Sequence, residues 1–173
     1  MDKSQKQLVD TYFRKRGIAN VQNTSYEFEA YEILYLINNK IPFDFSSLKA
    51  GTIADILVKQ PSLVNKLDLS KISYEESNSF DTTYKINYIL KYQPQLIDYI
   101  DISGFDGYHI ADLLIIQPLL IDKVDLSILN DENITDILKE QPKLINRLDL
   151  SILDDKHISE ILKEQPQLAP YFK

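Results

Sequence analysis

The apolar positions of the chain fall into a recurring phrase that begins as a helix and then breaks. Between Ile134 and Gln141 they stand at 134, 137 and 138, the i, i+3, i+4 spacing of one helix face. Asp131, or Asp155 one copy later, is placed three residues ahead as an N-cap. Proline follows at 142, inside the run ILKEQPKLINRLDLSIL of residues 137–153. Proline in a helix interior loses a hydrogen bond and clashes with the preceding turn, but at the first turn of a new helix it presets φ. The pattern therefore predicts a helix of two to three turns, a break at Gln-Pro, and a second short helix opening at Pro142. That second helix buries Leu144, Ile145 and Leu148. Asp149 then caps a tight turn or 3₁₀ piece around Ser151 to Leu153. Gln141 is placed to cap carbonyls released by the break.

The phrase is repeated. Gln-Pro stands at 60–61, 93–94, 117–118, 141–142 and 165–166, at intervals of 33, 24, 24 and 24 residues. A second marker, apolar-Asp-apolar-Ser, begins at Phe43, Leu67, Ile100, Val124 and Leu148, at intervals of 24, 33, 24 and 24. Two independent markers with one period define an internal repeat of 24 residues carrying one insertion of nine. One copy cannot bury its apolar face alone, so the copies must stack.

The expected fold is all-α: a right-handed-type α-solenoid of about five 24-residue units, each a helix, a Gln-Pro break, a short second helix and an Asp-φ-Ser turn. Residues 1–40 are expected to form N-terminal capping helices, with an amphipathic helix over 2–16, and residues 41–173 the array, as one continuous domain. YEILYLINNKIPFDFS resembles a degenerate first copy that lacks Gln-Pro. At the far end Pro170 is expected to block further helix, with Phe172 in the place of Leu148. The insertion, within Ser73 to Tyr84, has no periodicity and is expected to be an extended loop.

Three families share parts of this phrase. LDLS, with Ile145, Leu148 and Leu150 in φ-x-x-φ-x-φ spacing, resembles the strand segment of a leucine-rich repeat. Where that family sets an Asn, this chain holds Leu153, Leu129, Phe105 and Ile72, so a β-lined horseshoe is not expected. The 24-residue period with two short helices, one opened by Pro, resembles the leucine-rich repeat variant family, which implies a solenoid of alternating α- and 3₁₀-helices. ILKEQPKLI also resembles the helices of mitochondrial transcription-termination-factor repeats, whose unit is longer and whose basic nucleic-acid groove has no counterpart here. The whole "DLSxL…ILxxQPxLI" unit is similar to repeats of uncharacterised bacterial and phage-associated proteins. The resemblance spans about residues 41 to 173 and brings an architecture, with no catalytic residue.

Composition narrows the function. Over 173 residues, 44% apolar and 26% charged content is that of a globular protein. A net charge of −7 disfavours direct nucleic-acid binding and favours a basic partner. There is no cysteine, no run of ~20 apolar residues to span a membrane, and no signal-peptide core in MDKSQKQLVD, which predicts a cytoplasmic protein.

Chemistry is sparse. His109 and His157 lie two repeats apart, about 20 Å at ~10 Å per helical layer, so they cannot share a metal. Ser103, His109 and Asp112 lack the turn context of a catalytic triad. Glu75/Glu76 and Asp154/Asp155 are caps or loop residues, and Gly104 and Gly107 mark a turn. No catalytic, cofactor or metal residue is assigned.

The copies differ at a few registers. Two residues after the leading Ile stand Asp55, Tyr88, Asp112, Asp136 and Glu160, an acidic ladder broken by one tyrosine. Six after it stand Lys59, Tyr92, Ile116, Glu140 and Glu164; thirteen after it, Lys66, Tyr99, Lys123, Arg147 and Tyr171. Tyr84, Tyr88, Tyr92, Tyr99 and Ile116 thus form a candidate interface cluster, the competing reading being packing beneath the insertion. Asp112, Asp136, Glu140, Glu160 and Glu164 form either a solvated face or a surface for a basic partner. The expected function is a non-enzymatic protein–protein interaction module. The alternative is a phage- or mobile-element-encoded inhibitor whose acidic face occludes a nucleic-acid-binding protein. An enzyme with an unfamiliar site is the third reading.

Overall fold

The computed structural model describes residues 7, 11, 30–41, 45–72 and 80–172, with backbone alone at 47 and 80–83. Every element among them is helical, and no strand occurs among the described residues. The chain divides into two compact units, Met1–Lys71 and Ile72–Lys173. The capping helix expected over 2–16 lies outside the described residues apart from Gln7 and Thr11.

In the first unit, α1 (Ala30–Asn38) packs on α2 (Ala50–Lys59). Ile33, Leu36, Ile53, Ile56 and Leu57 are fully buried and make its core. Helix α1 ends in a Schellman turn. The amide of Ile41 donates to Leu36 at 2.8 Å and that of Lys40 to Ile37 at 3.0 Å. This geometry needs a left-handed residue, and Lys40 adopts φ 56° to supply it.

The second unit alternates α-helices with 3₁₀-helices. Helix α3 (Phe80–Tyr92) is followed by Pro94–Tyr99, α4 (Gly107–Ile116) by Pro118–Asp122, α5 (Asp131–Glu140) by Pro142–Arg147, and α6 (Asp155–Glu164) by Pro166–Tyr171. Successive α-helices are neighbours: α3 packs on α4, α4 on α5, and α5 on α6. Ile86, Ile89, Leu90, Leu113, Leu114, Ile137 and Leu138 are fully buried along these contacts.

The break follows from the residue before proline, which is sterically kept out of the α region. Gln117 sits at φ −139°, ψ 78°, and Gln141 and Gln165 at −127°, 64°. Each amide still completes the α-helix, as Gln117 does to Leu113 at 2.8 Å, and each carbonyl starts the next piece, as Leu144 to Gln141 at 3.0 Å. With five or six residues, the second helix is 3₁₀ rather than α. Pro170 does not end it in the last copy, since the 3₁₀-helix runs through that residue to Tyr171.

The glutamine side chain serves a backbone, but not the one expected. Gln141 Nε2 donates to the Ile115 carbonyl at 2.7 Å and Gln117 Nε2 to Lys91 at 3.3 Å, and Gln165 reaches Lys139 in the same way. Each acceptor belongs to the last turn of the preceding α-helix, so the amide ties neighbours together. The basic residues of the thirteenth register do likewise: Lys123 pairs with Asp98 at 2.8 Å and Arg147 with Asp122.

Three further expectations change. The N-caps are Asp106, Asn130 and Asp154, one residue earlier than Asp131 and Asp155. Their side chains accept from the third helical residue, which Asn130 and Asn133 complete as a reciprocal capping box. Part of the insertion is helix: α3 begins at Phe80, because no Gly or Pro interrupts 80–92, and residues 73–79 lie outside the described residues. Gly107 is the first residue of α4 rather than a turn; a Cβ there would strike Asn133 Oδ1 and lie 2.6 Å from the Ile128 carbonyl. The Asp-φ-Ser turn forms as expected, with Asp125 and Asp149 accepting from the amides of Ser127 and Ser151 at 2.9 and 3.0 Å.

Candidate functional site

Helices α3 and α4 leave a groove of about 330 Å³ between their outer faces. Helix α3 lines it with Tyr84, Asn87, Tyr88, Lys91 and Tyr92, the i, i+3, i+4, i+7, i+8 face of one helix. From α4 come Tyr108, His109, Asp112 and Ile116. Tyr84, Tyr92 and Tyr108 are 66%, 54% and 62% exposed, so three large rings stand at its rim uncovered. Tyr88 is half-buried and meets Tyr92 edge-on, with ring centroids 5.2 Å apart. That is the favoured edge-to-face geometry of an aromatic pair.

Asn87, Asp112 and His109 lie deeper, and Lys91 is exposed. Asn87 is 8% exposed, and its Oδ1 has no hydrogen-bond partner among the described residues. Asp112 is half-buried, and burial pushes its carboxyl above the ordinary value; His109 draws it down and Asp136 raises it further. His109 holds its Nδ1 2.7 Å from Asp106 Oδ1, with its ring between Phe105 and Tyr108 at centroid distances of 5.4 and 6.2 Å. Lys91 places its ammonium 5.6 Å from the Tyr92 ring centre.

The structure thus brings together Tyr84, Tyr88, Tyr92, Asp112 and Ile116 from the sequence-derived set. Tyr99 ends the 3₁₀-helix Pro94–Tyr99 and does not line the groove. Asp136, Glu140, Glu160 and Glu164 lie on α5 and α6. Lys139 stands 3.7 Å from Asp136 and 3.5 Å from Glu160, and Lys156 lies 3.9 Å from Glu160, so half of the acidic ladder is internally compensated. Glu140 and Glu164 are exposed.

Sequence reading passed over Asn87, Lys91 and Tyr108. Tyr108 was accessible, since it shares the register of Tyr84, two residues before the leading Ile. Asn87 also carried a signal: its register holds Ala54, Ala111, Thr135 and Ser159 in the other copies. Of the residues weighed as a triad, Ser103 donates its amide to Asp101 at 2.9 Å, and His109 faces Asp106. No three His, Asp or Glu side chains among the described residues are placed to hold a metal ion, and no described helix is long and apolar enough to cross a membrane. No protein-family model, no curated protein and no solved structure matches the chain.

Proposed function

We propose that the chain is a non-enzymatic protein–protein interaction module of the cytoplasm, built as a solenoid of about five 24-residue units. The solenoid reading is supported by bonds that recur at one sequence separation, Gln117 to Lys91 and Gln141 to Ile115, each 26 residues back. The alternation of α- and 3₁₀-helices is what the likeness to the leucine-rich repeat variant family implies. The binding reading rests on one observation: an open groove rimmed by Tyr84, Tyr92 and Tyr108, in a stretch of the array where tyrosines gather at registers that hold charges in other copies. Exposed, clustered tyrosines are the composition of interface hot spots.

A photoreactive phenylalanine analogue tests this when placed at Tyr92 and, separately, at exposed Ile152 outside the groove. Crosslinking in the native cell should capture a discrete protein from position 92, and Tyr88→Ala should abolish the product. Capture from 152 alone would contradict the groove reading. The second reading, an inhibitor that meets a basic protein with its acidic face, draws on the exposed carboxylates of Glu140 and Glu164. It predicts binding that weakens steeply with salt and survives Tyr88→Ala.

A further inference from the structure

Two acceptors of the groove, on Asn87 and Asp112, stand apart from its donors, Lys91, His109 and the tyrosine hydroxyls. Asn87 is buried in the floor, and its Oδ1 meets no partner among the described residues. Its register elsewhere is filled by alanine or by a hydroxyl residue, and the buried one of these, Thr135, satisfies itself by donating to Asp131 at 2.7 Å. Asp112 differs from Asp136 and Glu160 in the same sense. Asp136 and Glu160 share the Lys139 ammonium at 3.7 and 3.5 Å. The lysine of that register on the helix before Asp112, Lys91, lies 5.6 Å from the centre of the Tyr92 ring, and Asp112 makes no ion pair among the described residues. His109, the other basic group on the wall, is engaged by Asp106 at 2.7 Å.

A half-buried carboxylate, a buried amide oxygen and the π faces of tyrosines all favour a cation, and the oxygens further require N–H donors. A quaternary ammonium has no N–H to give. An ammonium concentrates its charge at one point. A planar guanidinium presents several donors in a fork, can engage a carboxylate and a second acceptor together, and stacks on aromatic rings. At about 330 Å³ the groove is at the small end of ligand sites and admits one such side chain with its stem. The net charge of −7 draws basic segments toward it.

We propose that the groove receives the guanidinium of an arginine on a partner polypeptide, with Asp112 and Asn87 as its acceptors and Tyr88 and Tyr92 as its walls. The proposal deepens the interaction reading and rests on it.

The test titrates the full chain with the peptide acetyl-Gly-Arg-Gly-amide and with its citrulline counterpart, uncharged but of the same shape, followed by ¹⁵N-resolved NMR. The arginine peptide should shift the Asn87 side-chain amide and the backbone amides of Tyr88 and Asp112 saturably, and citrulline should bind at least tenfold more weakly. Asp112→Asn should weaken arginine binding at least tenfold and Asn87→Ala about threefold or more, with melting temperatures at or above that of the parent chain. Equal binding of arginine and citrulline overturns the proposal, as do shifts confined to Glu140 and Glu164, which indicate diffuse ion pairing. If position 92 still crosslinks a protein while arginine shows no preference, the guanidinium is wrong and the module stands. If arginine binds as expected and no protein crosslinks, docking to a partner is wrong and the site itself stands.

Discussion

Replacing Asn87 by alanine should stabilise the protein. The residue is 8% exposed, its Oδ1 is buried without a partner, and alanine already occupies the same register at 54 and 111. An unsatisfied buried polar group costs about 1–3 kcal/mol. Alanine also improves the helix by about 0.5 kcal/mol over asparagine. Against these stand the van der Waals contacts of the lost amide, which faces a groove rather than a sealed core and so leaves little cavity. The balance is a gain of about 1–2 kcal/mol, or about 3–6 °C in melting temperature for a chain of this size. Thermal unfolding by circular dichroism reads it directly. A melting temperature several degrees below that of the parent chain would refute the reasoning, because it would mean that the amide is a structural tie with a partner in solution.

Three other perturbations probe the frame around the groove. Gly107→Ala drives a methyl to 2.6 Å from the Ile128 carbonyl and into the Asn130–Asn133 capping box, so chemical denaturation should show a loss of about 1–3 kcal/mol. Lys40→Gly relieves a left-handed residue at φ 56° and should gain about 1 kcal/mol in the same assay. Asp101, Asp106 and Asp154 are held below the ordinary carboxylate value chiefly by backbone amides, and Asp125 and Asp149 chiefly by the hydroxyls of Ser127 and Ser151. Groups depressed in the folded state contribute stability above their unfolded value and lose it as pH falls through the folded one. Melting temperature should therefore fall progressively below about pH 4, and a flat profile there would contradict these turns.

Periodicity made the helices and their breaks legible, because helix spacing, pre-proline restriction and Asx turns are all local effects. Pro142 opens its helix where the residues say it must. What the local pattern could not carry was partnership between copies. Gln141 was readable as a backbone cap, but which carbonyl it meets depends on how the neighbouring helix lies. The capping residue shifted by one, to Asn130 rather than Asp131 and to Asp154 rather than Asp155, and at Asn130 the side chain of Asn133 answers reciprocally. In the groove, comparing registers found Tyr88, Tyr92 and Ile116, which depart from the charged residues of their registers, and Asp112 as a member of the acidic ladder. It passed over Asn87, whose importance lies in a missing partner, and only three-dimensional packing displays that.

The central claim is that binding resides where α3 departs from the other copies. The most direct measurement restores the repeat: Asn87→Ala, Tyr88→Asp and Tyr92→Glu together give α3 residues found at those registers elsewhere in the array. Titrated with the arginine peptide, this folded chain should show no saturable binding, while the parent chain does. Retained binding at the parent's affinity, with the helices intact by circular dichroism, would contradict the claim.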